Sequence, residues 1–192
     1  MRKRRTVFML GALCLIAASA LEASAQQYVQ GQVIGIGGRR AGLNRPFTLL
    51  VNNYTSADDV QQLNQALRSG GQDELLRVLS KLDAGRVSIG NNVGVKANAV
   101  IATPTAEGGT KLTVLYERNV AIFELRYGAR SADYRFGYAE IYLDARGRGQ
   151  GTFIPAAKVK LEGDNNWVVE DFGEFPARLM GLRSTGRVGG AR

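Results

Sequence analysis

The chain of 192 residues has no histidine and a single cysteine. Each absence removes a class of chemistry. Without imidazole, Ser-His-Asp and Cys-His catalysis are excluded, and so are zinc sites built on His or Cys. Histidine is also the usual general base near neutral pH. What remains is carboxylate, lysine, tyrosine and serine chemistry, with oxygen-ligand metals such as calcium. Cys14 lies in an apolar run near the N-terminus, so a disulfide framework is not available, although an exported chain can use one.

That apolar run carries the clearest positive signal. Arg2, Lys3, Arg4 and Arg5 precede it, it extends from Val7 to Leu21, and Ala23-Ser24-Ala25 follows. A basic start, an apolar stretch and small residues at −3 and −1 predict a secretory signal peptide over residues 1–25, cut between Ala25 and Gln26. The stretch is shorter than the roughly 20 apolar residues of a spanning helix, so no transmembrane segment is expected after cleavage. The remaining chain would be periplasmic or extracellular. Cleavage would leave 167 of the 192 residues and remove four basic residues and one acid, which lowers the formal charge by three, from +8 to +5. Arg183, Arg187 and Arg192 supply three of those five. A chain of this size suits one domain without staples. With the excess charge at its ends and no basic stripe interleaved with aromatics, nucleic acid is not an expected partner.

Two further motifs are incomplete. Gly35 to Gly42, GIGGRRAG, gives part of a dinucleotide loop, but a strand-like Pro46 to Val51 follows where a helix is needed. Gly163-Asp164-Asn165-Asn166 has calcium-compatible oxygens without the calcium-loop spacing. No metal and no cofactor is assigned. Asn53-Tyr54-Thr55 is a glycosylation sequon, relevant only in a eukaryotic secretory route.

Residues 26–45 read as a flexible lead-in to a domain over 46–184, with a disordered basic tail over 185–192. Ser56 with Asp59 three residues on reads as a capping-box-like helix start. Val60, Leu63 and Leu67 then recur at helical spacing until Ser69-Gly70-Gly71. Leu75, Leu76, Leu79 and Leu82 line a second helix, with Gly85 past its end. This predicts an N-terminal αα-hairpin, whose leucines cover a sheet. Beyond Arg86 the period changes to two. Strands are expected at Val87–Gly90, Val93–Ala102, Lys111–Glu117, Val120–Tyr127, Tyr138–Leu143, Gly151–Leu161, Trp167–Glu170 and Arg178–Arg183. Short Gly-, Asn- and Asp-containing turns join them as antiparallel neighbours. The expected fold is α+β: a mostly antiparallel β sandwich or partly closed barrel with the αα-hairpin.

One segment stands out chemically. GARSADYRFG, Gly128 to Gly137, lies between two expected strands. Arg130 and Arg135, with Arg126 from the preceding strand, can bind a carboxylate, sulfate or phosphate through charge-assisted pairs. Ser131 and Asp133 can shape the turn, and Asp133 or Tyr134 can transfer a proton. A structural reading asks for less: Asp133 pairs with Arg130 or Arg135 and holds the loop. Arg146 and Arg148 sit on a glycine-rich turn that reads as a solvated hairpin tip. Trp167, Phe172, Phe175, Phe136, Tyr138, Tyr142 and Phe153 can line a pocket, or else form core.

The segments GGQDELLRVLSKL, RSADYRFG, GTFIPAAKVKL and EDFGEFPARLMGLRS together resemble a set of exported bacterial proteins that carry no assigned activity. The likeness covers about Thr48 to Ser184, with Arg135 where proline would follow the tyrosine. It implies secretion, a bacterial source and a single domain, and it transfers no site residue. The expected function is an exported non-enzymatic binding or structural domain of the cell envelope, with an envelope protein or small apolar ligand as partner. The alternative is a hydrolase or lyase using carboxylate, tyrosine and arginine on an anionic substrate. That alternative requires Asp133, Tyr134 and another carboxylate to converge in a deep cleft.

Overall fold

The computed structural model describes residues 26–36, 42–119, 133–163, 166–171 and 177–186. The leader over 1–25, the expected strand Val120–Tyr127 and Arg126, Arg130, Ser131, Phe172, Phe175, Arg187 and Arg192 lie outside the described residues, as do most of GIGGRRAG and Asp164-Asn165.

Among the described residues the strands are β1 (Gln27–Gly35), β2 (Asn44–Val51), β3 (Gly85–Ile89), β4 (Val95–Ala97), β5 (Ala99–Pro104), β6 (Thr110–Glu117), β7 (Phe136–Leu143), β8 (Arg148–Glu162), β9 (Asn166–Asp171) and β10 (Ala177–Thr185); one helix, α1 (Ala57–Leu79), falls between β2 and β3. All pairings are antiparallel, in the order β4-β3-β2-β1-β10-β8-β7-β6-β5, with β9 on β8. β4 and β5 end this path on opposite sides, yet only Asn98 separates them in the chain. The sheet therefore curls round until its ends meet, a nearly closed barrel. β8 is paired by β10 along its first half and by β9 along its second. Taking β4 with β5 and β9 with β10 gives an eight-strand meander whose last strand pairs with its first.

Eight strands leave an interior just wide enough for side chains, and here side chains fill it. Val29, Val33, Phe47, Leu49, Leu112, Val114, Ile141, Phe153 and Leu179 form one buried cluster, with Phe47 and Phe153 edge to face at 6.5 Å. The alternate positions point outward: Gln30, Gln32, Arg86 and Arg178 are exposed. Apolar in and polar out reverses the pattern of a membrane-crossing barrel. Among the described residues no helix is long and apolar enough to cross a membrane. One outer patch is apolar, on β6, β7 and β8, and α1 covers it: Leu63, Leu67, Leu75 and Leu79 pack on Leu115, Phe136, Tyr138, Ile154 and Val159. The aromatics proposed to share a pocket are thus divided between the interior (Phe153), the seat of the helix (Phe136, Tyr138, Trp167) and the exposed surface (Tyr142).

Two expectations change. The αα-hairpin is replaced by one helical element, kinked at Gly71 (φ 63°, ψ −145°). A helical hairpin needs a loop of about 2–5 residues, and inside α1 only Gly71 leaves helical geometry. The start is as expected, with Ser56 Oγ accepting the Asp59 N–H at 3.1 Å. The lead-in over 26–45 contains β1 and the start of β2. Its glutamines hide the alternation that buries Val29 and Val33.

Side-chain amides then lock helix to barrel. Asn98, 1% exposed, donates to Leu79 O and Leu82 O, both at 3.1 Å, and its Oδ1 accepts the Glu117 N–H at 2.9 Å. Gln72 exchanges two bonds with the Val159 backbone. Trp167 Nε1 donates to Asn64 Oδ1 at 2.6 Å.

Candidate functional site

The two ends of the barrel differ. At the lower end, where β1 starts and β10 finishes, Tyr54 donates to Gln27 and Gln27 donates to Ser184 Oγ at 2.7 Å. This polar seal satisfies itself. The nearby β7–β8 turn is held by Asp144, whose Oδ1 accepts the Arg146 and Arg148 N–H groups at 2.8 Å each. Those bonds, Arg148's first, hold the Asp144 carboxyl below its usual range. Arg146 and Arg148 are exposed, as the hairpin-tip reading requires. A cavity of about 410 Å³ lies between this turn and the β5–β6 turn, lined by polar groups including Thr105, Glu107, Asp144 and Gln150.

The upper end opens where β6 finishes, β7 begins and β3 turns into β4. Leu112, Val114 and Tyr116 are the inward residues of β6. Tyr116 is the last of them and only 6% exposed. It faces Gly137 directly across the β6–β7 pair. Its ring lies over that glycine, so a Cβ at position 137 would collide with it. Burial pushes the Tyr116 hydroxyl above the usual tyrosine range, and the Arg118 cation only partly opposes this. Among the described residues that hydroxyl has no hydrogen-bond partner, and no fully buried polar side-chain atom is left unpaired. The hydroxyl therefore opens into the cavity beside it. This cavity measures about 410 Å³; Val87, Ile89 and Val95 form its walls, Arg118 lies at its edge, and Val93 stands on its lip, 84% exposed.

Arg118 continues the period of β6 by two residues and leads to the loop singled out in the sequence. Its Nε donates to Tyr134 O and its N–H to Arg135 O, both at 2.9 Å. Tyr134 donates to Glu170 Oε1 at 2.7 Å, and Lys158 Nζ lies 4.6 Å from the centre of the Tyr134 ring. Lys160 pairs with Glu170 at 2.6 Å. The Lys160 ammonium and then the Tyr134 hydroxyl hold the Glu170 carboxyl below its usual range.

Among the described residues the ion pairs of this loop run to β8 and α1. Asp133 pairs with Lys158 at 3.7 Å, and Arg135 reaches Asp73 of α1 at 3.5 Å. Both pairs are open to water, with Asp133 71% and Asp73 91% exposed at the side chain, so each contributes about 0–1 kcal/mol. Tyr134 and Glu170 lie together on the face of the β8–β9 hairpin, with Asp133 next to Tyr134 in the chain. Among the described residues no three metal-ligating side chains gather closely enough to hold an ion.

Sequence reasoning passed over Tyr116, Arg118, Lys158 and Lys160. The first two were readable as the in-phase end of Leu112, Val114, Tyr116, Arg118. The lysines alternate in KVK, but their partners come from elsewhere in the chain. Set against known proteins, the chain matches no family model, no curated protein and no solved structure.

Proposed function

We propose that this chain is an exported, non-enzymatic domain of the bacterial cell envelope that binds a small, mainly apolar molecule at the upper mouth of its barrel. The observation that carries the reading is the Tyr116 hydroxyl, a donor on a ring 6% exposed that faces an apolar cavity with no described partner. The hydroxyl opens into this cavity, where an acceptor on a ligand can take its bond. A cavity of about 410 Å³ is within the range of small-molecule sites. The export part rests on the order of basic, apolar and small residues over 1–25.

The rim cluster supports binding over hydrolase or lyase chemistry. Tyr134 already donates its proton to Glu170, and Glu170, held low by Lys160, is a weak base. Titration with N-phenyl-1-naphthylamine, an uncharged apolar dye, tests the mouth. Saturable dye fluorescence is expected, and Val95→Arg should remove it with the melting temperature retained, since Val95 is 37% exposed. Dye binding unaffected by Val95→Arg would end this reading. Cell fractionation with intact-mass measurement tests export: the expected protein starts at Gln26 outside the cytosol, and a cytosolic chain retaining residues 1–25 would refute it.

A further inference from the structure

We propose that the outer wall formed by β1, β10 and the first half of β8 docks on the phosphate head groups of an anionic lipid surface. This wall is separate from the upper mouth, and its test does not depend on what the mouth binds. β1, β10 and residues 148–153 of β8 contain no Asp or Glu, while Arg148, Arg178 and Arg183 are all exposed on them. Arg183 is the direct cross-strand partner of Arg148. Like charges directly opposite each other destabilise a sheet, and an anion that bridges them removes that cost. A bulge in β10 brings Arg178 onto the same face. In a regular strand Arg178 and Arg183 would point opposite ways, because their separation is odd. The register shifts between Leu179 and Leu182, where Gly181 has φ 61°, so both arginines turn outward while Leu179 and Leu182 point in. Bulges re-aim side chains in this way. At the lower end the Ser184 N–H donates to Gly147 O at 2.7 Å, which ties the β7–β8 turn, with its exposed Arg146, to the end of β10.

Among the described residues none of these four arginines has an ion pair. The described pairs lie elsewhere, around α1, the start of β7, β6 and the β8–β9 hairpin. The one acid of the β7–β8 turn, Asp144, spends its Oδ1 on the Arg146 and Arg148 backbone N–H groups. The field over the wall therefore favours an anion, and the planar fork of arginine matches phosphate oxygens two at a time. β1 and β10 are paired along both edges, so no partner strand can add there and contact is made by side chains. Tyr28 and Met180, 37% and 38% exposed, stand on the same outward face. Tyrosine favours the head-group level of a membrane, and arginine stems lie along apolar surface while their heads reach charge. A lipid surface uses both the cations and these two apolar groups. A nucleic acid would use the cations and leave Tyr28 and Met180 without a role.

Co-sedimentation with vesicles tests the wall, using phosphatidylcholine alone and phosphatidylcholine with phosphatidylglycerol in equal parts. Binding is expected to the mixed vesicles only. It should be lost as NaCl rises from about 0.1 M to about 1 M, which shortens the screening length from about 10 Å to about 3 Å. One arginine at an anionic membrane is worth about fivefold in binding, so Arg148→Gln/Arg183→Gln should weaken it at least about tenfold. Because the opposed charges cost stability, this variant should melt no lower than its parent. Arg146→Gln/Arg178→Gln leaves the opposed pair in place and should weaken binding by a similar factor. Arg77→Gln/Lys81→Gln removes the same charge from exposed positions in and just after α1 and should leave binding close to the parent's. Leader and tail are identical in every protein compared, so the differences report the wall. An equal loss in the Arg77→Gln/Lys81→Gln protein would reduce the effect to net charge and overturn the proposal. Equal binding to both kinds of vesicle, or binding unchanged by both wall variants, would overturn it too. Inorganic phosphate at matched ionic strength should displace no more protein than chloride does; stronger displacement would mean a site for one free anion in place of a lipid surface. Retention of duplex DNA with the same variant dependence, and no binding to mixed vesicles, would assign the wall to nucleic acid instead.

Discussion

Asn98→Ala should loosen the barrel where its two ends meet. Asn98 sits between β4 and β5, is 1% exposed, and satisfies three backbone groups at once: Leu79 O, Leu82 O and the Glu117 N–H. Alanine can satisfy none of them. Leu79 O keeps its bond from the Leu82 N–H at 3.0 Å, so alanine strands two groups, Leu82 O and the Glu117 N–H. At about 1–3 kcal/mol for each, they set a floor of about 2 kcal/mol. A chain of this length loses roughly 2–4 °C of Tm per kcal/mol, which predicts a fall of roughly 4–8 °C. Asn98→Asp should be at least as damaging. It keeps an acceptor for Glu117 but loses the donor and turns a negative charge toward two carbonyls. Urea melts followed by far-UV circular dichroism and by Trp167 fluorescence give the assay, with an unchanged m-value marking a change in stability alone. Asn92→Ala is the control. Its exposed amide donates to Ile89 O at 3.3 Å, so its loss should stay within about 0.5 kcal/mol. An Asn98→Ala protein within about 1 kcal/mol of its parent, below the cost of one unpaired group, would refute the idea that this amide holds the seam.

Gly137→Ala should drive the Tyr116 ring from its place over the β6–β7 pair, costing about 1–3 kcal/mol as overpacking does. The check is a changed near-UV dichroism with the far-UV spectrum retained; an unchanged tyrosine signal would refute it. Stability should also fall at both extremes of pH. Burial raises Tyr116 and Tyr138, so their contribution is whole below about pH 10 and is lost as pH rises toward their folded values. Tyrosinate absorbance should show both ionising only as the chain unfolds. Burial works to raise Glu140, but hydrogen bonds from Tyr142, Lys111 and Tyr138 more than reverse it. Its contribution is present above about pH 4.3 and is lost as pH falls through its lowered value, so Glu140→Gln should flatten the acid side of the urea-midpoint profile.

Strands whose faces differ sharply in polarity were legible in the sequence. Lys111–Glu117 anticipates β6 to within a residue, because Leu112, Val114 and Tyr116 alternate with Lys111, Thr113 and Glu117. Expectation and structure part where that contrast fades. In β1, Gln27 is 2% exposed and points inward with Val29 and Val33, so a polar residue occupies a core phase and the period is masked. Val93–Ala102 reads as one strand, but Ala97 and Val100 both belong to the interior cluster. That odd step forces a break at Asn98, and small residues on both faces conceal it. The kink of α1 depends on one dihedral at Gly71, which a Gly-Gly pair permits without specifying. Loop partners were the least legible. Lys158 reaches Asp133 only because β7 and β8 pair, and register at that distance is not written in local pattern.

The tyrosines at the two barrel ends, Tyr54 half-buried and Tyr116 buried, differ in their partners. Tyr54, below, donates to Gln27, which is tied in turn to Ser184, and that end closes on itself. Tyr116, above, has no described partner, and its hydroxyl opens into the cavity beside it. Among the described residues the interior of the barrel is packed by Phe47, Phe153, Ile141 and Leu179. The proposed mouth site lies at the rim, at the first position where the inward phase of a strand passes from packing to open space. At the end of β6 that transition runs from Val114, fully buried, through Tyr116 to the half-buried Arg118 just beyond the strand. Over the five residues from Val114 to Arg118, the alternation that fills the core changes from apolar to donor to cation.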